Sequence, residues 1–189
     1  MSSKLSADVS AIEKKFAVLK KTDFRGETTL LVERASIKEL CSFCKDELGY
    51  TYLVDISGVD NFGEEPRFEV VYELCQFERV DYLRLKIRVS EDELSVSSVS
   101  DIWPTADWHE REAFDMFGVV FDGHPDLRRI IMWEGYPFHP LRKDFPLAGK
   151  ASDVPEVAFT SAAPLAGGPF VTIPTTGDTQ VREPRSREA

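Results

Sequence analysis

R-F-E-V-V-Y-E-L-C-Q-F-E-R-V-D-Y-L-R-L-K-I-R-V, residues 67–89, alternates apolar and polar side chains on both sides of Glu78-Arg79. A period of two marks a half-buried strand, so the stretch predicts two antiparallel strands, 67–77 and 79–89. If paired residues have numbers summing to 157, Phe68, Val70, Tyr72 and Leu74 meet Val89, Ile87, Leu85 and Leu83 on a dry face. The same register sets Glu69 opposite Arg88 and Glu73 opposite Arg84 on the wet face, so two independent faces select one pairing. Glu-Arg is a poor two-residue hairpin turn, which predicts a longer loop about the same centre.

Upstream, Asp8 reads as the N-cap of a helix carrying Val9, Ile12, Phe16 and Leu19, with a turn at Thr22 to Gly26 and a short strand from Thr28 to Glu33. Ser36 with Glu39 has the spacing of a capping box. It opens a helix over 37–48 whose stripe is Ile37, Leu40, Cys41, Cys44 and Leu48, closed by Gly49. Tyr50 to Ile56 reads as a strand leading into a Ser57-Gly58 turn. Downstream, Asp107 with Glu110 forms a second capping box before a helix from about Trp108 to Phe117, ended by Gly118. Ala113, Phe114 and Phe117 would give it an apolar face, with Glu112 and Asp115 turned away. The fold class is α+β: a small mixed or antiparallel sheet with packed helices over residues 1–149, followed by an extended C-terminal arm, 150–189. Residues 151–189 hold five of the eleven prolines and only two aromatics, Phe159 and Phe170, too little for a core of their own.

The chain has 189 residues, 42% of them hydrophobic, and a formal charge of −10, which argues against a phosphate-backbone binder. No apolar run reaches the roughly 18–20 residues that span a bilayer, and Met1 to Lys21 lacks the apolar region of a signal peptide; a cytoplasmic compartment is expected. Three cysteines are too few for a disulfide framework. Cys41 and Cys44 sit in an apolar helix stripe rather than at a helix N-terminus, so they read as core residues that bind nothing.

Residues 104–146 combine charge, aromatics, Gly and Pro at high density and contain all three histidines. His109-Glu110 begins like a zinc-protease motif, but the fifth position is Ala113 and the second ligand is missing. A metal-dependent hydrolase built on His109, His124, His139 and Glu112 is the rival reading. No phosphate loop, dinucleotide fingerprint or nucleophile elbow occurs. Glu110, Arg111, Glu112, Asp115, Asp126, Arg128, Arg129, Arg142, Lys143 and Asp144 therefore read as a paired network fixing irregular segments at or beside an interface, with Trp108 among its anchors. Arg128→Ala is expected to reduce assembly.

Three blocks carry a resemblance: Trp108-His109-Glu110-Arg111-Glu112 through Asp115-Met116-Phe117-Gly118, Gly123-His124-Pro125-Asp126-Leu127-Arg128-Arg129-Ile130, and His139-Pro140-Leu141-Arg142-Lys143-Asp144-Phe145-Pro146. Together they resemble the signature of the thirty-kilodalton subunit family, also called the C subunit family, of respiratory complex I, the NADH-quinone oxidoreductase. The resemblance covers about residues 8–147. It implies a peripheral-arm subunit without cofactors of its own, in a complex that uses NADH, FMN, iron–sulfur clusters and quinone. The implied partners are the quinone-site D subunit and the cluster-bearing B subunit. The implied place is the cytoplasmic face of a bacterial plasma membrane, or the mitochondrial matrix side, reached through the complex. The corresponding subunit of a membrane-bound hydrogenase or a ferredoxin-dependent complex would look alike.

Overall fold

The hairpin anchors the sheet in the expected register. In the computed structural model, β4 (Phe68–Gln76) and β5 (Asp81–Val89) pair antiparallel from Phe68↔Val89 to Gln76↔Asp81, including Glu69↔Arg88 and Glu73↔Arg84. The loop is four residues long, with Val80 at φ 54 and the Gln76 side chain accepting the Arg79 N–H at 2.7 Å. Residues 3–147 are described. The chain divides into two units, Met1–Met132 and Trp133–Ala189. The expected boundary at 149/150 and the arm beyond it lie outside the described residues.

In the first unit, α1 (Ser3–Lys15) precedes a hairpin of β1 (Val18–Phe24) and β2 (Glu27–Val32), turned through Arg25 and Gly26 at φ 52 and 87. After α2 (Ile37–Asp46) comes β3 (Tyr52–Asp60). The five strands run in the order β1-β2-β5-β4-β3, antiparallel except for the parallel β2–β5 pair, so the sheet is mixed. Beyond it, β6 (Ser95–Ser97) pairs in parallel with β7 (Val120–Asp122), joined through α3 (Ala106–Phe117).

One core holds Val70, Tyr72 and Leu74 of β4, Leu5, Val9 and Ile12 of α1, the α2 stripe, and Ala106 and Ala113 of α3. The wet face carries a charge ladder: Arg84–Glu73 at 2.7 Å, Arg88–Glu69 at 3.0 Å and Lys86–Glu69 at 3.1 Å. Burial works to raise the Glu69 carboxyl, but hydrogen bonds from Lys86 and Arg88 outweigh it and hold it below the usual glutamate range. Such half-exposed pairs contribute little stability each and act mainly on register.

Four local expectations are corrected. Asp8 does not cap α1; it lies within the helix, buried, accepting from Arg79 at 2.6 Å and Tyr50 at 3.3 Å. Leu19 belongs to β1 and is exposed, and Thr22 to Phe24 continue that strand. Ser36 stands before α2 but forms no side-chain cap, because its hydroxyl donates to the Glu33 carbonyl. The Ser57-Gly58 turn is absent, and β3 runs straight through it.

Cys41 and Cys44 are fully buried in the core, and burial pushes the Cys44 thiol up to about 12. Neither is poised as a thiolate. Cys41→Ala with Cys44→Ala should lower unfolding stability by on the order of 1–2 kcal/mol per site, read from urea midpoints. Assembly should persist, and loss of an iron or zinc signal in the double variant would contradict the core assignment.

Candidate partner-binding site

Helix α3 owes its end to Gly118, which takes the left-handed conformation at φ 82 and donates its N–H to the Phe114 carbonyl at 2.8 Å. Its seat on the sheet depends on Gly58. A Cβ there would stand 2.5 Å from Phe117, so the ring occupies the space that a side chain at position 58 would need. Thr105 begins the helix without a side-chain cap. The expected box of Asp107 and Glu110 does not form, because Glu110 faces inward.

Asp115 is also inward. The helical pattern predicts it on the polar side, yet its side chain is wholly buried. Oδ2 accepts the N–H groups of Ile130 at 3.1 Å, Ile131 at 2.7 Å and Met132 at 2.8 Å. Arg129 Nη1 donates to Oδ1 at 2.5 Å and to the Asp115 main-chain carbonyl at 3.1 Å. Burial works to raise this carboxyl, but the three amides and the guanidinium outweigh it and hold it below the usual aspartate range. One turn earlier, Arg111 donates to the carbonyls of Arg128 at 3.2 Å and Arg129 at 3.3 Å while lying over the Trp108 ring at 5.1 Å. Residues 128–132 have no strand partner among the described residues; α3 satisfies their backbone instead.

Glu110 binds elsewhere. It accepts the Val99 N–H at 2.7 Å and the Ser98 hydroxyl at 2.6 Å, with His124 Nε2 at 3.9 Å. Burial raises its carboxyl above the usual glutamate range, despite the lowering influence of those donors and His124. His124 is itself committed: Nε2 lies 3.2 Å from the Asp107 carbonyl and Nδ1 accepts the Asp126 N–H at 3.0 Å, which fits a proton on Nε2. His109 reaches across to Asp55 on β3 at 3.1 Å.

The expected mutual network thus resolves into separate pairings. Asp115, Arg129 and Arg111 act together, Glu110 works with Ser98 and Val99, and Glu112 is exposed outside both. The Arg128 guanidinium is exposed and pairs with exposed Asp126 at 2.9 Å, while its carbonyl accepts from Arg111. Among the described residues no group of three or more His, Cys, Asp or Glu is placed to hold a metal. In the second unit, His139 accepts the Arg142 N–H at 3.2 Å, Arg142 that of Phe145 at 3.0 Å, and Lys143 and Asp144 are exposed. Sequence reading missed Ile130 and Ile131, which are 36% and 58% exposed beside Trp108's helix, where Trp108 itself is 61% exposed.

The family model described as the respiratory-chain NADH dehydrogenase 30 kDa subunit matches residues 30–151. The NADH-quinone oxidoreductase C subunit from Geotalea uraniireducens is 46% identical over 143 residues, covering 75% of this chain and 87% of its own. That of Roseiflexus castenholzii is 48% identical over 146 residues, covering 76% and 81%. A solved trypsin-resistant fragment (1-134) of Nqo5 superposes with a TM-score of 0.59 at 30% identity, covering 66% of this chain and 99% of that one. One chain of an archaeal membrane-bound sulfane sulfur reductase, a respiratory membrane complex, gives 0.65 at 26% identity, covering 75% and 85%. With the first two signature blocks seated on α3 and the turns that follow it, the protein belongs to the 30 kDa subunit family of the respiratory NADH-quinone oxidoreductase.

Proposed function

We propose that this subunit of NADH-quinone oxidoreductase is a scaffold: it carries no redox centre and holds the quinone-site subunit and the cluster-bearing subunit in register for electron transfer from NADH to quinone. NADH, FMN, the iron–sulfur clusters and quinone belong to the other subunits. No helix among the described residues is long and apolar enough to cross a membrane. Attachment is assigned to the complex, on the cytoplasmic face of a bacterial membrane or the matrix side of a mitochondrial one. The Pro-rich sequence after Gly149 is assigned to the same docking role.

The observation that carries this reading is the Asp115 clamp. It fixes an irregular segment that presents Ile130 and Ile131 to solvent beside an exposed Trp108, with Arg128 and Asp126 at the rim. Large apolar side chains held rigidly amid charge are interface anchors. The signature residues Trp108, Glu110, Arg111, Glu112, Asp115, His124, Asp126, Arg128, Arg129, His139, Arg142, Lys143 and Asp144 are proposed to build or border this surface.

Trp108→Ala with Ile131→Ser removes exposed anchors and leaves the clamp intact, so the full-length chain should unfold within about 0.5 kcal/mol of wild type. The purified complex should nevertheless lose the subunit. Normal subunit content with slowed turnover would reject the scaffold reading. A second reading, the equivalent subunit of a related respiratory complex, is supported by the likeness to the sulfane sulfur reductase chain. Mass spectrometry of co-purified subunits separates the two, since only the first brings NADH-oxidising partners.

A further inference from the structure

We propose that β1 is a docking edge to which an acidic, extended segment of a neighbouring chain adds as a sixth strand. The sheet order puts β1 at one margin, with β2 on its inner side and no strand outside it among the described residues. Every residue from Leu19 to Phe24 is exposed. The opposite margin differs, because α3 packs against β3. On β1 alternate backbone N–H and C=O groups therefore face solvent along seven residues, the template for strand addition.

Charge selects the occupant. In a chain of net charge −10, Lys14, Lys15, Lys20, Lys21 and Arg25 gather at the end of α1 and along β1, all exposed. Asp23 is the only acid on the strand, 3.9 Å from Lys21 and already accepting the Thr28 hydroxyl at 2.8 Å. Lysine on an edge strand is also a device against self-pairing, and it would oppose lysine to lysine if two copies met here. That device disfavours a second copy and favours an acidic strand. Edge protection does not explain Leu19 and Phe24, which are 60% and 66% exposed at the two ends of the strand. A bulge between Val18 and Lys20 expels Leu19, and Arg25 lies over Phe24 at 5.1 Å. An incoming extended segment would meet an apolar contact at each end and lysines between, the pattern of strand addition with side-chain specificity.

The edge is tested in the purified complex with a carbodiimide, which joins lysine amines to carboxylates in direct contact, and by hydrogen exchange. Lys20 or Lys21 should link to Asp or Glu in one contiguous segment of another subunit, and the solvent-facing amides of β1 should be protected in the complex but not in the isolated full-length chain. Lys20→Glu with Lys21→Glu removes the linking amines, so it is read by exchange: the β1 amides should exchange about tenfold faster in the complex than those of wild type. Reversing the linked acids to lysine in the partner should restore contact, which a merely misfolded variant could not do. Equal exchange of β1 in both states would overturn the proposal, as would cross-links only between two copies of this chain. Protection that appears only with vesicles containing anionic lipid would assign the basic edge to a membrane surface and overturn it too. Because the Trp108 and Ile131 variant leaves β1 untouched, failure of the scaffold reading and failure of this one give different results.

Discussion

Asp115→Ala should release residues 128–132 from α3 and remove the subunit from the complex. The substitution leaves three adjacent N–H groups and the Arg129 guanidinium, 13% exposed, without their common acceptor. Breaking a buried charge-assisted pair costs about 3–5 kcal/mol, because the guanidinium and amides lose the carboxylate that offsets their desolvation. The damage should be local before it is global, since these residues close the first unit at Met132 and have no ladder to fall back on. Tryptic cleavage after Arg128 and Arg129 reports it directly. A loss of about 3 kcal/mol raises the open population, and with it the cleavage rate, by roughly two orders of magnitude. Asp115→Asn keeps an acceptor oxygen but surrenders the charge, so it should fall between. Acid should imitate the substitution. A carboxyl held below its unfolded value contributes stability that is present above the usual aspartate range and is lost as pH falls through the folded value. Cleavage as slow in Asp115→Ala as in wild type would show that other contacts hold the segment. The neighbouring Arg128→Ala, expected from sequence to harm assembly, should be mild for stability because its guanidinium is solvent-exposed.

The contrast between Arg128 and Arg129 shows where sequence reading stops. Two adjacent arginines look alike in a string, yet one meets a buried carboxylate and the other an exposed one. The hairpin was legible because it is over-determined: an apolar face and a charged face each select the same register, and a slip by one residue would break both. The α2 stripe and the Gly118 terminus were legible for a similar reason, since periodicity and a left-handed glycine are local facts. Asp8 was misread because an acid near a helix start is usually a cap. Here its role is set by Arg79, 71 residues away, and that partner is invisible to local pattern. Gly58 suggested a turn because glycine often marks one; its reason is the Phe117 ring, contributed by another element. Asp115 looked solvent-facing on a helix with acids at several positions. It is buried because the amides that neutralise it come from 15 to 17 residues further on. The chemistry of the site was therefore readable as a set of residue types, while its pairing had to come from the fold.

Glu110→Ala and Glu110→Gln should behave in opposite ways, and the comparison isolates what the buried carboxylate does. Its side chain is fully buried between α3 and the segment after β6, holding the Val99 N–H and the Ser98 hydroxyl. Alanine leaves those donors dry and opens a void, at a cost of about 3–5 kcal/mol in urea unfolding. Glutamine is nearly isosteric. Its carbonyl can accept from Val99, and Ser98, which already contacts the Ser100 hydroxyl at 2.8 Å, can reverse its own hydroxyl to accept from the amide. The pH dependence then supplies the sign. Burial raises the carboxyl above its unfolded value, so the folded chain holds this proton more tightly than the unfolded one. That linkage favours folding below the usual glutamate range, and the advantage is lost as pH rises through the raised folded value. Above it the native state must carry a buried charge that only hydrogen bonds and His124 offset. Glu110→Gln should therefore gain on wild type as pH is raised from the usual glutamate range through the raised folded value, with parallel curves above it. If the two curves stay parallel across the whole range, Glu110 is as comfortably ionised in the fold as in water, and the inward-facing carboxylate has no hold on stability through its proton.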